Sequence, residues 1–189
     1  MTTKLAADTI WDPIIQQGVY RRLLEATSYP GNVLGIDESP AWLAALAALL
    51  DAHCTLADPD SLLSGEQRAF LAARIAPLPE AEFVLVDAAR DADNQFTPRR
   101  GELISPEFGA TIILVGGQLA QGRDQLVLRG PGIKDRTTLK LEGFRASWFE
   151  AREHLNAEFP LGVDFILCTQ TDLVCLPRTT IIEERTWDM

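Results

Sequence analysis

The sequence predicts an α/β fold, a three-layer α/β/α sandwich with a mixed sheet covered by helices. Three observations lead there. Helical and strand periodicities interleave along the chain. Several of the strand-like runs are close enough together to pair as hairpins. The length, 189 residues, supplies one sizeable core and falls short of the usual two domains, so residues 1–189 read as a single unit.

The elements follow in order. Asp12 can cap a first helix, Pro13 suits its first position, and Pro30-Gly31 ends it. Between them Ile15, Val19, Leu23 and Ala26 share one face. A second helix starts at Ser39-Pro40 and is apolar on most sides, through Trp42, Leu43, Leu46, Leu49 and Leu50, so it should be buried. A third opens with "SGEQ", where Ser64 and Gln67 fit a capping box. "EFVLVD" (Glu82 to Asp87) is a short β-branched run and reads as a strand. The polar, turn-rich "AARDADNQFTPRRGELISPEFG" reads as a loop or a short helix. "ATIILVGG" (from Ala110) and "DQLVLRG" (from Asp124) read as the two strands of an antiparallel hairpin, with "QLAQGR" as its link. Phe144, Trp148, Leu155 and Phe159 mark a helical face, and "VDFILCT" and "LVCLPRTT" form a last hairpin around "QTD".

Composition excludes several function classes. Hydrophobic residues make up 47% and charged residues 23%, values of a globular chain. No stretch approaches the roughly 20 apolar residues of a membrane span, and the N-terminus lacks the basic-then-apolar pattern of a signal peptide. The net charge of −10 opposes nucleic acid, whose recognition requires a basic surface. Cys54, Cys168 and Cys175 are odd in number and dispersed, which suits free thiols in a reducing cytoplasm. His53 and His154 lie far apart without zinc spacing, so no metal is expected.

The phosphate motifs fail on inspection. "GQLAQGRD" (Gly117 to Asp124) has the two glycines of a Walker loop, but Arg123 and Asp124 replace its lysine and hydroxyl. In "LRGPGIKDRTT", Gly130 and Gly132 most simply let the chain turn sharply after a strand. Their amides with Arg129, Lys134 and Arg136 leave an anion nest as the alternative. Arg178, Thr179 and Thr180 place a guanidinium and two hydroxyls just past a strand, where α/β proteins often bind ligands. The plainer alternative is an arginine paired with a carboxylate. Lys134 and Lys140 have no recognisable Schiff-base context, so pyridoxal phosphate is not expected.

Five strings taken together carry a resemblance: "YRRLLEATSYPG" (Tyr20 to Gly31), "GATIILV" (Gly109 to Val115), "LRGPGI" (Leu128 to Ile133), "FPLGVDFIL" (Phe159 to Leu167) and "LPRTT" (Leu176 to Thr180). In this order the chain resembles the PhnH family, a subunit of the bacterial carbon–phosphorus lyase system, over about residues 13 to 182. The resemblance implies a shortened version of the pyridoxal-phosphate-dependent transferase fold without its cofactor site. It implies a cytoplasmic homodimer when isolated, and a subunit that assembles with the system's G, I and J subunits. With G, I and the ATPase-like L subunit, that system displaces adenine from ATP by a phosphonate, giving a ribose 1-phosphonate 5-triphosphate. ATP is then a substrate of the complex and not a cofactor of this chain. A stand-alone phosphate-binding transferase and a ligand-free scaffold are the competing readings. The resemblance assigns no catalytic residue. Its motif positions offer Arg21, Arg22, Arg129, Gly130, Asp164, Arg178, Thr179 and Thr180 as ligand-binding candidates.

Overall fold

The computed structural model describes residues 9–93 and 95–187. Its elements are, in chain order, α1 (Pro13–Ser28), β1 (Leu34–Gly35), α2 (Ala41–Leu49), β2 (Thr55–Ala57), α3 (Gly65–Leu71), β3 (Arg74–Ile75), β4 (Phe83–Asp87), β5 (Arg100–Glu102), β6 (Ser105–Gly109), β7 (Thr111–Val115), β8 (Gln118–Arg129), β9 (Thr137–Glu142), α4 (Ala146–Leu155), β10 (Asp164–Cys168), β11 (Asp172–Leu176) and β12 (Ile181–Thr186). The helix punctuation read from the sequence is present. Asp12 Oδ1 accepts the Ile14 N–H at 2.8 Å, and Pro13 opens α1. At α3 the Gln67 N–H donates to Ser64 Oγ at 3.1 Å, and the Ser64 N–H donates to Gln67 Oε1 at 2.8 Å, a complete capping box.

A seven-stranded mixed sheet has the order β1-β11-β10-β7-β4-β2-β3. Its middle strands β4, β7 and β10 are parallel, with Val84, Ile112 and Phe165 in register. Each is buried over its middle residues on both faces, which is why each reads as an unbroken apolar run. The last hairpin is as expected: β10 pairs antiparallel with β11.

The alternating side chains of these strands divide between two covers. Leu85, Ile113, Ile166 and Cys175 pack with α1 and the almost wholly buried α2. Val84, Ile112, Leu114 and Leu167 pack with Trp148 and Phe149 of α4 and with Leu126, Leu128, Leu139 and Leu141 of a second, three-stranded sheet, β12-β8-β9. The expected all-helical third layer is therefore half sheet.

That second sheet also corrects the middle of the chain. β7 and β8 do not form a hairpin. β7, apolar toward both faces, is claimed by β4 and β10, whereas β8 alternates exposed and buried positions and pairs with β9 and β12. The "QLAQGR" link belongs to β8 itself, whose register shifts between Leu119 and Asp124. The polar segment after β4 holds the β5–β6 hairpin, where neither a helix nor plain loop suffices. Phe159 lies outside α4 and is 68% exposed, and Phe144 precedes the helix although it is buried.

Phe149 has no exposed surface and joins α4 to the second sheet, touching Trp187 with ring centroids 5.5 Å apart. Phe149→Ala should lower unfolding free energy by about 3–5 kcal/mol, measured by urea titration. Leu103→Ala, at a position 78% exposed, should change it by no more than about 0.5 kcal/mol.

Candidate functional site

The strings that stood apart in sequence meet at one end of the fold. Gly130 (φ +146°) and Gly132 (φ +82°) both use backbone conformations open to glycine. A Cβ on Gly132 would lie 2.2 Å from the Ser28 carbonyl oxygen, and one on Gly130 would lie 2.8 Å from that of Thr179. The "RGPGI" turn is thus wedged between the end of α1 and the "PRTT" segment. Its cations face a carboxylate: Arg129 Nε lies 3.0 Å and Arg136 Nε 2.8 Å from the two oxygens of Glu183 on β12. Two of the three cations considered for the nest are thus turned toward a carboxylate of the same chain.

Asp164 and Arg178 tie the "FPLG-x-D" and "PRTT" strings together. Asp164 opens β10, and Arg178 follows β11, its antiparallel neighbour. Asp164 Oδ1 accepts the Arg178 backbone N–H at 2.6 Å, while Oδ2 accepts from Nη2 at 2.6 Å and from Nε at 3.2 Å. Arg178 Nη1 donates to the carbonyl oxygens of Pro106 at 2.7 Å and Pro160 at 3.3 Å. The guanidinium reaches them because residue 109 is glycine: a Cβ there would lie 2.8 Å from both terminal nitrogens and 2.1 Å from the Gly162 carbonyl oxygen. Arg178 is thus the paired arginine of the plainer sequence reading.

The other candidates separate. Thr179 is exposed, and Thr180 is buried with its carbonyl accepting from Arg152 Nη2 at 3.0 Å. Arg21 and Arg22 are exposed on α1, where Arg22 pairs with Glu25 at 3.3 Å. The structure therefore gathers Gly130, Asp164, Arg178, Thr179 and Thr180, turns Arg129 toward Glu183, and leaves Arg21 and Arg22 on the surface.

Sequence reasoning missed Arg152. It is 3% exposed and also donates to the carbonyl oxygen of Leu176 at 3.4 Å and that of Pro177. Burial lowers its pKa to about 10, against the opposing field of Asp164. Its spacing from Trp148 and Leu155, i+4 and i−3, was the available signal: an arginine on the buried stripe of a helix.

Beside the Asp164–Arg178 pair lies a cleft of about 360 Å³ between α1 and the sheet. It opens at the N-terminal ends of β4, β7 and β10, represented by Phe83, Thr111 and Asp164. Tyr20, Leu23, Leu24 and Thr27 of α1 form its other wall. Asp164 is the one carboxylate among its described lining residues, which include no lysine or arginine. Cys175 also lines it, and burial pushes that thiol's pKa up to about 11, so it stays protonated at neutral pH. A second cleft, of about 300 Å³, lies at the opposite ends of the parallel strands and carries Asp60, Asp91 and Asp93. Its Arg90 is paired with Asp60 at 2.6 Å, so its field is hostile to phosphate. Among the described residues no cluster of three or more His, Cys, Asp or Glu is arranged to hold a metal ion.

Comparison with known proteins matches residues 9–183 to the family described as "Bacterial phosphonate metabolism protein (PhnH)". The chain is 41% identical over 179 residues to the "Putative C-P lyase subunit protein HtxG" of Stutzerimonas stutzeri, covering 94% of this chain and 90% of that protein. It is 32% identical over 74 residues to the "Alpha-D-ribose 1-methylphosphonate 5-triphosphate synthase subunit PhnH" of Rhizobium meliloti (strain 1021), covering 39% of this chain and 37% of that one.

Two outcomes are expected from this geometry. Arg178→Ala removes the partner of a largely buried carboxylate contact and two carbonyl hydrogen bonds. It should cost about 2–3 kcal/mol in urea unfolding and speed amide exchange in β5–β6. Arg178→Lys should recover little, because it lacks the fork. For Cys175 the folded thiol keeps its proton to about pH 11, whereas the unfolded thiol loses it near the ordinary thiol value of 9.0. The folded state binds more protons in that window, so Cys175 contributes stability that is lost as pH rises from 9 to 11. Urea titrations across this range should show a shallower decline for Cys175→Ala than for the unsubstituted protein.

Proposed function

This chain belongs to the PhnH family, and from that premise we propose that it is a subunit of the carbon–phosphorus lyase core complex in phosphonate catabolism. In this reading it supports conversion of ATP and an alkylphosphonate to ribose 1-phosphonate 5-triphosphate with release of adenine. It acts there as a non-catalytic or co-catalytic subunit of the transferase. The observation that carries the reading is near-full-length similarity, over 90% of its length, to a protein named as a putative C-P lyase subunit.

The site's chemistry supports a subordinate role. A triphosphate or phosphonate needs free guanidinium or ammonium groups. Here Arg178 is engaged by Asp164, and Arg129 and Arg136 share Glu183. The cationic grip on substrate then comes from partner subunits, with the exposed Arg21 and Arg22 of α1 as this chain's candidates for a shared site. We extend the reading to a pyridoxal-phosphate-free fold related to the shortened transferase type. Lys134 and Lys140 are both exposed, and neither lines the cleft beside Asp164.

The partners are the G, I and J subunits, with a homodimer when the chain is isolated, in the cytoplasm. Among the described residues no helix is long and apolar enough to cross a membrane. Contact surface is available at the β5–β6 hairpin, where Leu103 is 78% and Ile104 89% exposed.

Reconstitution tests the proposal. The chain is expressed with its G, I and L partners, purified by a tag on I, and assayed for adenine release from ATP and methylphosphonate. Co-purification with release that requires this chain is the expected outcome. Loss of co-purification in a Leu103→Asp, Ile104→Asp variant that folds normally would place the hairpin in the interface. If the chain neither co-purifies nor alters the rate, the subunit reading fails.

A further inference from the structure

Each of the two larger sheets ends in a strand with one unpaired edge, β1 in the seven-stranded sheet and β9 in the three-stranded sheet. These two ends border one groove of about 510 Å³, formed by residues 31–34, residues 138–140 and Ala120. Its walls meet at one end, where a Cβ on Gly31 would lie 2.7 Å from Thr137 Cγ2. Among the described residues no backbone hydrogen bond crosses it.

The walls are strand edges and not strand faces. Successive side chains of a strand point to opposite faces, yet three consecutive residues of β9 border the groove. Leu139 is one of them, although it is 1% exposed and its side chain packs in the core. Its main chain, between the exposed Thr138 and Lys140, therefore does the lining. On the opposite wall, the Ile36 N–H donates to the Thr171 carbonyl at 2.7 Å, and Leu34 pairs with Leu173 of β11. Backbone groups alternate in direction along an antiparallel strand, so those of Gly35 point away from β11 to the open side. In β9 every second residue likewise turns its N–H and C=O away from β8.

Of the two edges, β9 has the length to take a further strand: six residues against two in β1, with no proline among them. Residues 138–140 alone present about 7 Å of backbone. A lysine on an edge deters pairing with strands that bring nothing to meet it, and an opposite charge directly across turns the same lysine into an attraction. Lys140 is exposed, and among the described residues no carboxylate lines the groove with it. Screening over about 8 Å at physiological salt lets Lys140, and not the net charge of −10, decide at this position. A row of main-chain donors and acceptors beside a cation complements an extended peptide that carries a carboxylate. We propose that this groove is a docking site for an extended acidic segment of a partner protein, which adds to β9 as a strand and sets a carboxylate against Lys140. The proposal concerns the isolated chain and does not rest on the complex-subunit reading.

The probe is the peptide acetyl-TVEVTV-amide, titrated into the ¹⁵N-labelled full chain and followed by amide chemical shifts. It should saturate with a dissociation constant of roughly 1 mM or tighter, and Leu34, Thr138 and Lys140 should shift. The same peptide with lysine in place of its glutamate should bind about fivefold more weakly or worse. A version N-methylated throughout, which has no N–H to give a strand edge, should lose affinity by about tenfold or more. Lys140→Glu changes an exposed side chain, so it should fold normally and reverse the preference between the two charged peptides.

The proposal is overturned if the glutamate peptide gives no saturable shifts, if N-methylation leaves its affinity unchanged, or if Lys140→Glu does not reverse the preference. Shifts confined to Arg74 and Ile75 of β3 would also overturn it, because they would place the peptide on the opposite edge of the larger sheet. So would concentration-dependent shifts of Thr138 and Lys140 without peptide, which would put a second copy of the chain there instead. Adenine release by the reconstituted complex is measured separately, so failure of either reading leaves the other standing.

Discussion

The ion pair between Asp164 and Arg178 is the contact on which this end of the molecule depends. It joins the start of a central strand to the chain leaving its antiparallel neighbour, and it then reaches the carbonyl oxygens of Pro106 and Pro160. With its side chains 33% and 13% exposed, the pair is neither a surface bridge nor a sealed one. A surface bridge contributes about 0–1 kcal/mol. A sealed pair gains little net attraction after desolvation, although loss of one partner is costly. The additional hydrogen bonds decide the matter here, since without Arg178 two carbonyls and a carboxylate lose a shared donor. What the pair contributes is position: it sets the β5–β6 hairpin, the loop before β10 and the "PRTT" turn relative to one another.

Arg152 carries the second half of that arrangement. It approaches the same turn from the α4 side and donates to the carbonyls of Pro177 and Thr180, leaving the turn held by guanidinium groups from two directions. Its buried charge has no carboxylate at contact distance among the hydrogen bonds and ion pairs formed by its side chain. Field attraction from Asp164 opposes the burial penalty on it. The two arginines thus draw on one carboxylate, Arg178 by contact and Arg152 at longer range, and the turn sits between them.

The sequence disclosed elements whose signal was local. The Asp12–Pro13 start of α1, the Ser64–Gln67 capping box and the β10–β11 hairpin each rest on residues a few positions apart, and all three are present. The errors were matters of pairing over distance. "ATIILV" next to "DQLVLR" suggested a hairpin, but the apolarity of β7 on both faces called for strands on both sides, and those came from β4 and β10. The alternation in β9, with Leu139 and Leu141 buried between exposed neighbours, was a readable strand signal that went unused. For the site, the strings showed which segments mattered but not which side chains were engaged. The choice between a ligand-binding and a paired Arg178 turned on Asp164, which is 14 residues away and becomes a neighbour only through the β10–β11 pairing.

That engagement bears on how activity divides between this chain and an assembly. A protein that binds phosphate alone leaves its arginines unpaired and pays for their mutual repulsion. This chain instead pairs Arg178 with Asp164 and sets Arg129 and Arg136 on the single carboxylate of Glu183. Phosphate recognition by Arg178 would have to break its contact with Asp164, and separating a largely buried guanidinium from its carboxylate costs several kcal/mol. Arg129 and Arg136, by contrast, are more than half exposed, and their contact with Glu183 is a weak surface pairing. The cleft beside the Asp164–Arg178 pair is largely apolar, with Asp164 the one carboxylate among its described lining residues. The net charge of −10 favours a partner that brings basic groups.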